Sequence, residues 1–350
     1  MTPKRVVLIG SEPRRMTRLR RTFNSLKELG VSVEVFIPYD VPRGRPRTIK
    51  GIIRYLLVML QLLLLKRDIY HFYNVPDVIG IPLLLKRGTL IYDVRSPWFS
   101  SLKEMIGIAP LSMLGGLVER FLSKSADVVL AANTPLARRA KNWGSKDTIV
   151  VPNYPPQTFG PSRTREDMRR HLNLEDAPTV LYLGKISRLE GSELLKGIIS
   201  ETAKTIEDVR FLIVGDGPRK KSIQDYISAR NLNKHVVFID WVPHSESANY
   251  ILASDLCLLP REWTTFSPYT SPENILKVGE YLAVGRAVIA PKMGGFADAT
   301  FPVIAVEPAD MASAVIEYLT NPKPFATDEH LSWDVSHQRL RNLYTRLGAI

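Results

Sequence analysis

Phe211-Leu212-Ile213-Val214-Gly215-Asp216-Gly217-Pro218 is the stretch from which the fold can be read. A short apolar run meets two glycines, which let the backbone turn tightly and approach a neighbour closely. Pro218 then presets the first turn of a helix. Strand, turn and helix start in so few residues point to a parallel sheet with crossover helices. The same alternation recurs on both sides. Around the run Val209–Val214 lie others at Thr179–Leu183, Val236–Ile239, Leu256–Leu259, Ala287–Ala290 and Val303–Val306. Upstream, a second series occupies Arg5–Ile9, Val31–Ile37, Ile69–Tyr73, Thr89–Val94, Asp127–Ala131 and Thr148–Val151. Between the two series Pro152, Pro155, Pro156 and Pro161 mark a linker. The pattern predicts two α/β domains, residues 1–157 and 158–330. A tail, residues 331–350, carries the helix-prone stretch Trp333–Leu347 and is expected to cross back to the first domain.

A chain of 350 residues fits two domains of ordinary size, and 45% apolar content suits a protein with sizeable cores. The single cysteine, Cys257, excludes an intramolecular disulfide and a cysteine-rich metal site; within Leu256-Cys257-Leu258-Leu259 it reads as a reduced core thiol. Only Val6-Val7-Leu8-Ile9 separates Lys4-Arg5 from Gly10, which is a first strand rather than a secretion signal, so a cytoplasmic location is expected. The net charge of +12 is unevenly placed. Residues 1–160 hold 25 Lys and Arg against 11 Asp and Glu, or +14, and the remainder carries −2. The first half therefore calls for an anionic partner: a membrane surface, a phosphorylated acceptor or nucleic acid. The arginines are not interleaved with stacking aromatics, which disfavours nucleic acid.

Two helices of the first half bear on that partner. Arg14–Leu29 is amphipathic, with Met16, Leu19, Phe23 and Leu26 on one stripe and Arg14, Arg18 and Arg21 opposite; Gly30 stops it. Those arginines, with Arg15, read either as a solvated face or as a surface for an anionic acceptor or membrane. The second helix, Ile52–Leu65, is apolar nearly all round, its polar positions Arg54 and Gln61 aligning with Lys50 on one narrow stripe. Fourteen residues reach about 21 Å, short of the roughly 30 Å of a bilayer core. The helix is expected to be a buried crossover in preference to a membrane-dipping one.

Ligands of such sheets lie beyond the C-terminal strand ends. Gly184-Lys185 follows one strand and Gly215-Asp216-Gly217-Pro218 the next. The long loop Pro260–Pro272 leads into a helix with Glu273, Asn274, Lys277 and Glu280, where Lys277 and Glu280 share a face at i, i+3. Gly294-Gly295 opens a further turn.

In this order and spacing the chain resembles the family-four glycosyltransferases of GT-B fold, over most of its length. The resemblance rests on Gly184-Lys185, on Phe211–Pro218, on Val237-Phe238-Ile239-Asp240-Trp241-Val242-Pro243, on Ala253–Pro260 and, most specifically, on Glu280-Tyr281-Leu282-Ala283-Val284-Gly285-Arg286-Ala287-Val288-Ile289. Ser125–Val129 and Val150-Val151-Pro152-Asn153, followed by Phe159 and Pro161, are similar to the family's approach to its linker. The resemblance implies two Rossmann-like doubly wound domains facing across a cleft, the first binding acceptor and the second a nucleotide-sugar donor. It implies sugar transfer with retention of anomeric configuration and without a metal or other cofactor; no Asp-x-Asp pair occurs. Glu280 would hold the ribose hydroxyls, Lys185 would neutralise the departing diphosphate, and Asn274, Ile275 and Leu276 would offer backbone N–H groups to phosphate. Trp241 and Val242 would border the base. Gly10, Gly184, Gly215, Gly217 and Glu273 complete the expected donor set.

Three positions depart from the family pattern. Its first acidic residue falls at Pro272, with Glu273 one place late. The lysine of the diphosphate clamp falls at Glu190, where a carboxylate repels phosphate, so Arg188 or Lys277 is expected to supply the cation. The histidine of the first domain is replaced by Asp93-Val94-Arg95. Arg95 cannot serve as a base but can hold a sugar or acceptor phosphate, with Asp93 as a helper. The leading expectation is a peripheral membrane glycosyltransferase with a lipid-linked or otherwise anionic acceptor. A non-catalytic relative that scaffolds a partner enzyme is the alternative, and an epimerase of the same architecture a third reading.

Overall fold

The computed structural model describes residues 3–10, 16–37, 49–74, 76–97, 109–298, 302–323 and 331–350. The chain divides into two compact units, residues 1–153 with 334–350 and residues 154–333. The division falls at Asn153 and Tyr154, inside the proline-rich stretch.

The first unit is a six-stranded parallel sheet in the order β2-β1-β3-β4-β5-β6. Its strands are β1 (Val6–Ile9), β2 (Val33–Phe36), β3 (Ile69–Tyr73), β4 (Thr89–Val94), β5 (Val128–Ala131) and β6 (Thr148–Val150). Four helices accompany them: α1 (Thr17–Glu28), α2 (Ile49–Leu64), α3 (Ala109–Ser125) and α4 (Thr134–Asn142). A 3-10 segment, Asp77–Leu85, replaces a regular helix after β3. β1, β3 and β5 are buried along their whole length, as strands covered on both faces must be.

The second unit repeats the plan with β7 (Thr179–Leu183), β8 (Arg210–Val214), β9 (Val236–Ile239), β10 (Leu256–Leu258), β11 (Ala287–Pro291) and β12 (Ile304–Val306). Their order is β12-β11-β10-β7-β8-β9, all parallel, so the winding reverses between β7 and β10. The helices are α5 (Arg165–His171), α6 (Ser192–Thr205), α7 (Lys220–Ala229), α8 (Ser247–Ala253), α9 (Leu276–Ala283) and α10 (Met311–Thr320). A last helix, α11 (Trp333–Arg346), places its residues from Asp334 onward in the first unit. Alternate residues of the second sheet feed separate cores. Leu181, Leu212, Cys257 and Val288 face one, and Val180, Phe211, Leu256 and Ile289 face the other. Cys257 is wholly buried, and burial pushes its thiol up to about 12.

The twelve strands expected from the apolar runs are all present, displaced by two residues at most. One expectation fails. α2 is not a buried crossover helix: among its described side chains Val58 and Leu62 are buried, while Leu56, Leu57, Leu60 and Leu64 each expose more than half of their surface. Its apolar circumference is wider than the core it covers.

Candidate active site

The turns after β7 and β8 are lashed together by backbone. Gly184 N donates to Val214 O at 2.9 Å, Gly215 N to Ile239 O at 3.0 Å, and Ile186 N to Asp216 O at 2.8 Å. All three glycines hold positive φ: Gly184 at +128°, Gly215 at +136° and Gly217 at +156°. A Cβ on Gly215 would stand 2.0 Å from Gly184 O, and one on Gly217 2.2 Å from Ile186 O. Those two glycines, expected to admit a ligand, are required first by the close approach of the two turns. Gly184 differs, for its missing Cβ faces open space with Lys277 Nζ at 3.6 Å.

Lys277 is the cation nearest that opening. Its Nζ donates to Glu190 Oε2 at 2.6 Å and lies 5.2 Å from the centre of the Tyr182 ring. Burial lowers the Lys277 pKa below its ordinary value, only partly offset by Glu190. Arg261 adds a second contact to Glu190 at 3.2 Å. Burial pushes the Glu190 carboxyl up, but Lys277 and Arg261 outweigh it and hold the group below the usual carboxylate range. The carboxylate that displaces the family's lysine is therefore ionised and balanced by two cations. Arg188, the other candidate cation, is exposed and reaches Glu262 at 3.3 Å. Lys185 is exposed beside this group, and its carbonyl accepts from Tyr182 Oη at 2.7 Å.

One turn along α9 from Lys277, Glu280 is 3% exposed. His244 Nε2 donates to its Oε1 at 2.6 Å, and the His244 ring lies 5.4 Å from Phe159. Sequence reasoning missed His244. Its signal was Pro243-His244, directly after the Trp241-Val242 segment that closes β9. Trp241 is 69% exposed and Val242 half-buried. Glu280 and His244 thus form a carboxylate–imidazole pair, the exposed indole of Trp241 lies three residues before His244, and Lys277 is one helical turn from Glu280. That set can accept from vicinal hydroxyls, donate to an anion and stack on a ring.

The expected phosphate donors of α9 are corrected in part. Asn274 N and Ile275 N both donate to Ser271 O at 3.2 Å, closing a turn instead of facing outward. The Asn274 side chain braces the same loop through Ser271 N at 2.9 Å and Tyr269 O at 3.1 Å. Glu273 is buried, its Oε2 accepting from Ser271 Oγ at 3.2 Å. Leu276 and Lys277 hold the first two helical positions, ahead of the first intrahelical bonds.

The residues singled out in the first unit form a buried brace. Arg18 Nε donates to both Asp93 oxygens at 2.8 and 3.0 Å, and its NH1 to Val151 O at 2.5 Å and Asn153 Oδ1 at 3.0 Å. Arg18 is 4% exposed, so it belongs neither to a solvated face nor to an anion-facing one. Asp93 is 1% exposed, and His71 Nε2 takes the remaining approach to its Oδ2 at 3.1 Å. Burial pushes the Asp93 carboxyl up, yet Arg18 prevails and it stays below its ordinary value; burial lowers His71. The neutral ring fits its partners with Nε2–H toward Asp93 and Nδ1 accepting from Tyr344 Oη at 2.8 Å. Asp93 and Arg18 thus tie β4 to α1, so the carboxylate does not stand open as a helper. Arg95 is largely buried at the end of β4, and burial lowers its pKa. Gly10 sits under α1, where a Cβ would meet Leu19 at 2.7 Å. Arg21 is half-buried, and Arg14 and Arg15 lie outside the described residues.

Residues 177–321, most of the second unit, match the family model described as glycosyl transferases group 1. The chain is 30% identical over 115 residues to the GPI3 subunit of phosphatidylinositol N-acetylglucosaminyltransferase from Saccharomyces cerevisiae, covering 33% of this chain and 25% of that protein. The chain spans no more than 41% of the length of the first curated relatives it matches. Among solved structures it is similar to sucrose-phosphate synthase from Thermosynechococcus elongatus, with a TM-score of 0.74 at 19% identity over 98% of this chain and 99% of that one. Anabaena HepE in complex with UDP-glucose gives a TM-score of 0.65 at 15% identity over 98% of both chains. Residues 177–321 are thus similar in sequence to the group 1 glycosyl transferases, and the chain as a whole has the GT-B fold.

Proposed function

We propose that the protein is a retaining glycosyltransferase that takes a sugar from a nucleotide-diphosphate donor held on its second unit, without a metal. The observation that carries this reading is the gathering of Lys277, Glu280, His244 and Trp241 around the turns after β7 and β9. Glu280 accepts from the ribose hydroxyls, with His244 sharing its carboxylate. Lys277 and Lys185 face the diphosphate. As the bond from the anomeric carbon to the diphosphate breaks, negative charge grows on the leaving oxygen, and fixed cations there favour departure. The acceptor hydroxyl adds to the same face, and its proton passes to the departing phosphate. HepE's complex with UDP-glucose supports a nucleotide sugar as donor.

The acceptor in this reading is anionic and lipid-linked, and the protein is peripheral on the cytoplasmic side of a membrane. The +14 charge of residues 1–160 supports it, as does the likeness to a phosphatidylinositol N-acetylglucosaminyltransferase subunit. Titration with UDP, GDP and ADP, with and without magnesium, followed by thermal stability, tests the donor. A nucleotide at about 100 times its dissociation constant stabilises by about 2.7 kcal/mol. A shift with one nucleotide that magnesium leaves unchanged is expected.

A second reading has its own observation. Glu190 already pairs with both Lys277 and Arg261, as a chain that scaffolds a partner enzyme without binding donor would have it. That reading requires no shift with any nucleotide and no transfer or hydrolysis of any nucleotide sugar.

A further inference from the structure

One flank of the first unit combines two features that the donor reading leaves unused. α2 and α3 both pack on the 3-10 segment Asp77–Leu85. On α2, Leu56, Leu57, Leu60 and Leu64 turn outward; on α3, Met113, Leu114, Leu117 and Phe121 do so at the same spacing. Each exposes more than half of its surface, and Leu85, which ends the 3-10 segment between them, is 77% exposed. A water-soluble surface seldom shows so many large apolar side chains together without something to cover them.

Cations border this apolar flank. Lys66 and Arg67 follow α2 directly, and Lys86 and Arg87 follow the 3-10 segment. With Lys4 and Arg5 they line a hollow of about 550 Å³ whose one carboxylate is Asp68 and whose wall includes Leu85. Arg67 is paired with Glu34 at 2.5 Å, which leaves the hollow strongly positive. Arg120 and Lys124 are exposed on α3.

We propose that this flank is the surface by which the protein docks on an anionic phospholipid bilayer. The leucines of α2 and the apolar side chains of α3 enter the acyl region with their helices in the plane of the membrane, and the hollow takes lipid phosphate groups. The argument is charge complementarity joined to hydrophobic exposure. The apolar stripe needs hydrocarbon and the cations beside it need anions, and an anionic bilayer offers both in that order. The helices lie on the membrane, since no described helix is long and apolar enough to cross one. The proposal rests on the peripheral reading above and is independent of the donor chemistry.

Co-sedimentation of the full chain with phosphatidylcholine vesicles, with and without phosphatidylglycerol, at low and high salt, tests it. The wild type is expected in the pellet with phosphatidylglycerol at low salt. Leu56→Glu combined with Leu60→Glu, and separately Lys66→Glu combined with Arg87→Glu, are each expected to lower the bound fraction by about tenfold. Their melting temperatures and nucleotide-induced shifts should match the wild type, which shows that both units are folded. Leu57→Cys adds an independent readout. The only native cysteine is wholly buried, so an environment-sensitive label reports position 57 alone, and its emission should move to the blue on vesicles. A leucine variant that still sediments, with a label still in water, overturns this surface while leaving membrane binding intact. A wild type that stays in the supernatant overturns the surface and the peripheral reading together, whatever the nucleotide titration shows. A leucine-dependent oligomer without vesicle binding makes the flank a protein interface and also overturns the proposal.

Discussion

In the proposed donor site, the carboxylate among the cations is the residue that most needs explaining. Glu190 holds Lys277 and Arg261 with two contacts, so a diphosphate bound as proposed would compete with it for the same charges. Glu190→Gln is therefore expected to tighten binding of the nucleotide diphosphate several-fold, on the order of 1 kcal/mol, measured by calorimetric titration. Weaker binding in the variant would show that Glu190 orients the cations instead of competing for them. Glu280→Ala is expected to lower kcat/KM by roughly tenfold to a hundredfold, since a charged hydrogen bond to a ligand is worth about 1.5–3 kcal/mol. Steady-state kinetics with the donor found by titration reads this directly, and an unchanged kcat/KM removes Glu280 from the site. Lys277 and Glu280 were legible because i, i+3 spacing alone puts them on one helix face. His244 was not, because its partner stands 36 residues away and only the fold of the β9 turn brings them together.

At the scale of elements, the turns after β7 and β8 are a single unit of structure. Gly215→Ala sets a Cβ against Gly184 O at positive φ, so both strain and a clash oppose it. The variant is expected to lose at least about 1–3 kcal/mol of stability in urea denaturation, together with nucleotide binding. The brace of β4 and α1 responds to pH. His71 and Asp93 both have folded pKa values below their unfolded ones, so each stabilises the fold above its unfolded pKa and loses that contribution as pH falls toward the folded value. For His71 the loss begins near pH 6.5 and for Asp93 near pH 3.9, taking about those unfolded values. Between roughly pH 6.5 and 5, His71→Asn should flatten the fall of stability by up to about 1.4 kcal/mol per pH unit, read from urea midpoints across that range. Equal slopes for variant and wild type would mean that His71 does not titrate with unfolding. The strands were legible as apolar runs because sheets covered on both faces demand them. The role of Arg18 was not, because an arginine on a charged helix face looks alike in sequence whether it faces water or a buried Asp93.

For the whole molecule, charge and surface divide between the two units. Hydrogen exchange with and without the nucleotide found by titration should show protection at residues 184–190, 241–244 and 276–284, with the strands of the first unit unchanged. Protection confined to the first unit would move the donor site there. The strands, the parallel winding of two domains, the buried thiol and the likeness of the second unit to group 1 glycosyl transferases were all legible in the sequence. Each follows from local hydrophobic period, turn glycines and ordered motifs, which no tertiary context overrides. The fold was needed to show which side of α2 faces water, that Gly215 and Gly217 serve loop packing, that Asp93 is bound to Arg18 and His71, and that Glu190 pairs with Lys277. These are contacts between residues far apart in the chain, and their energies depend on burial and distance that exist only once the chain has folded.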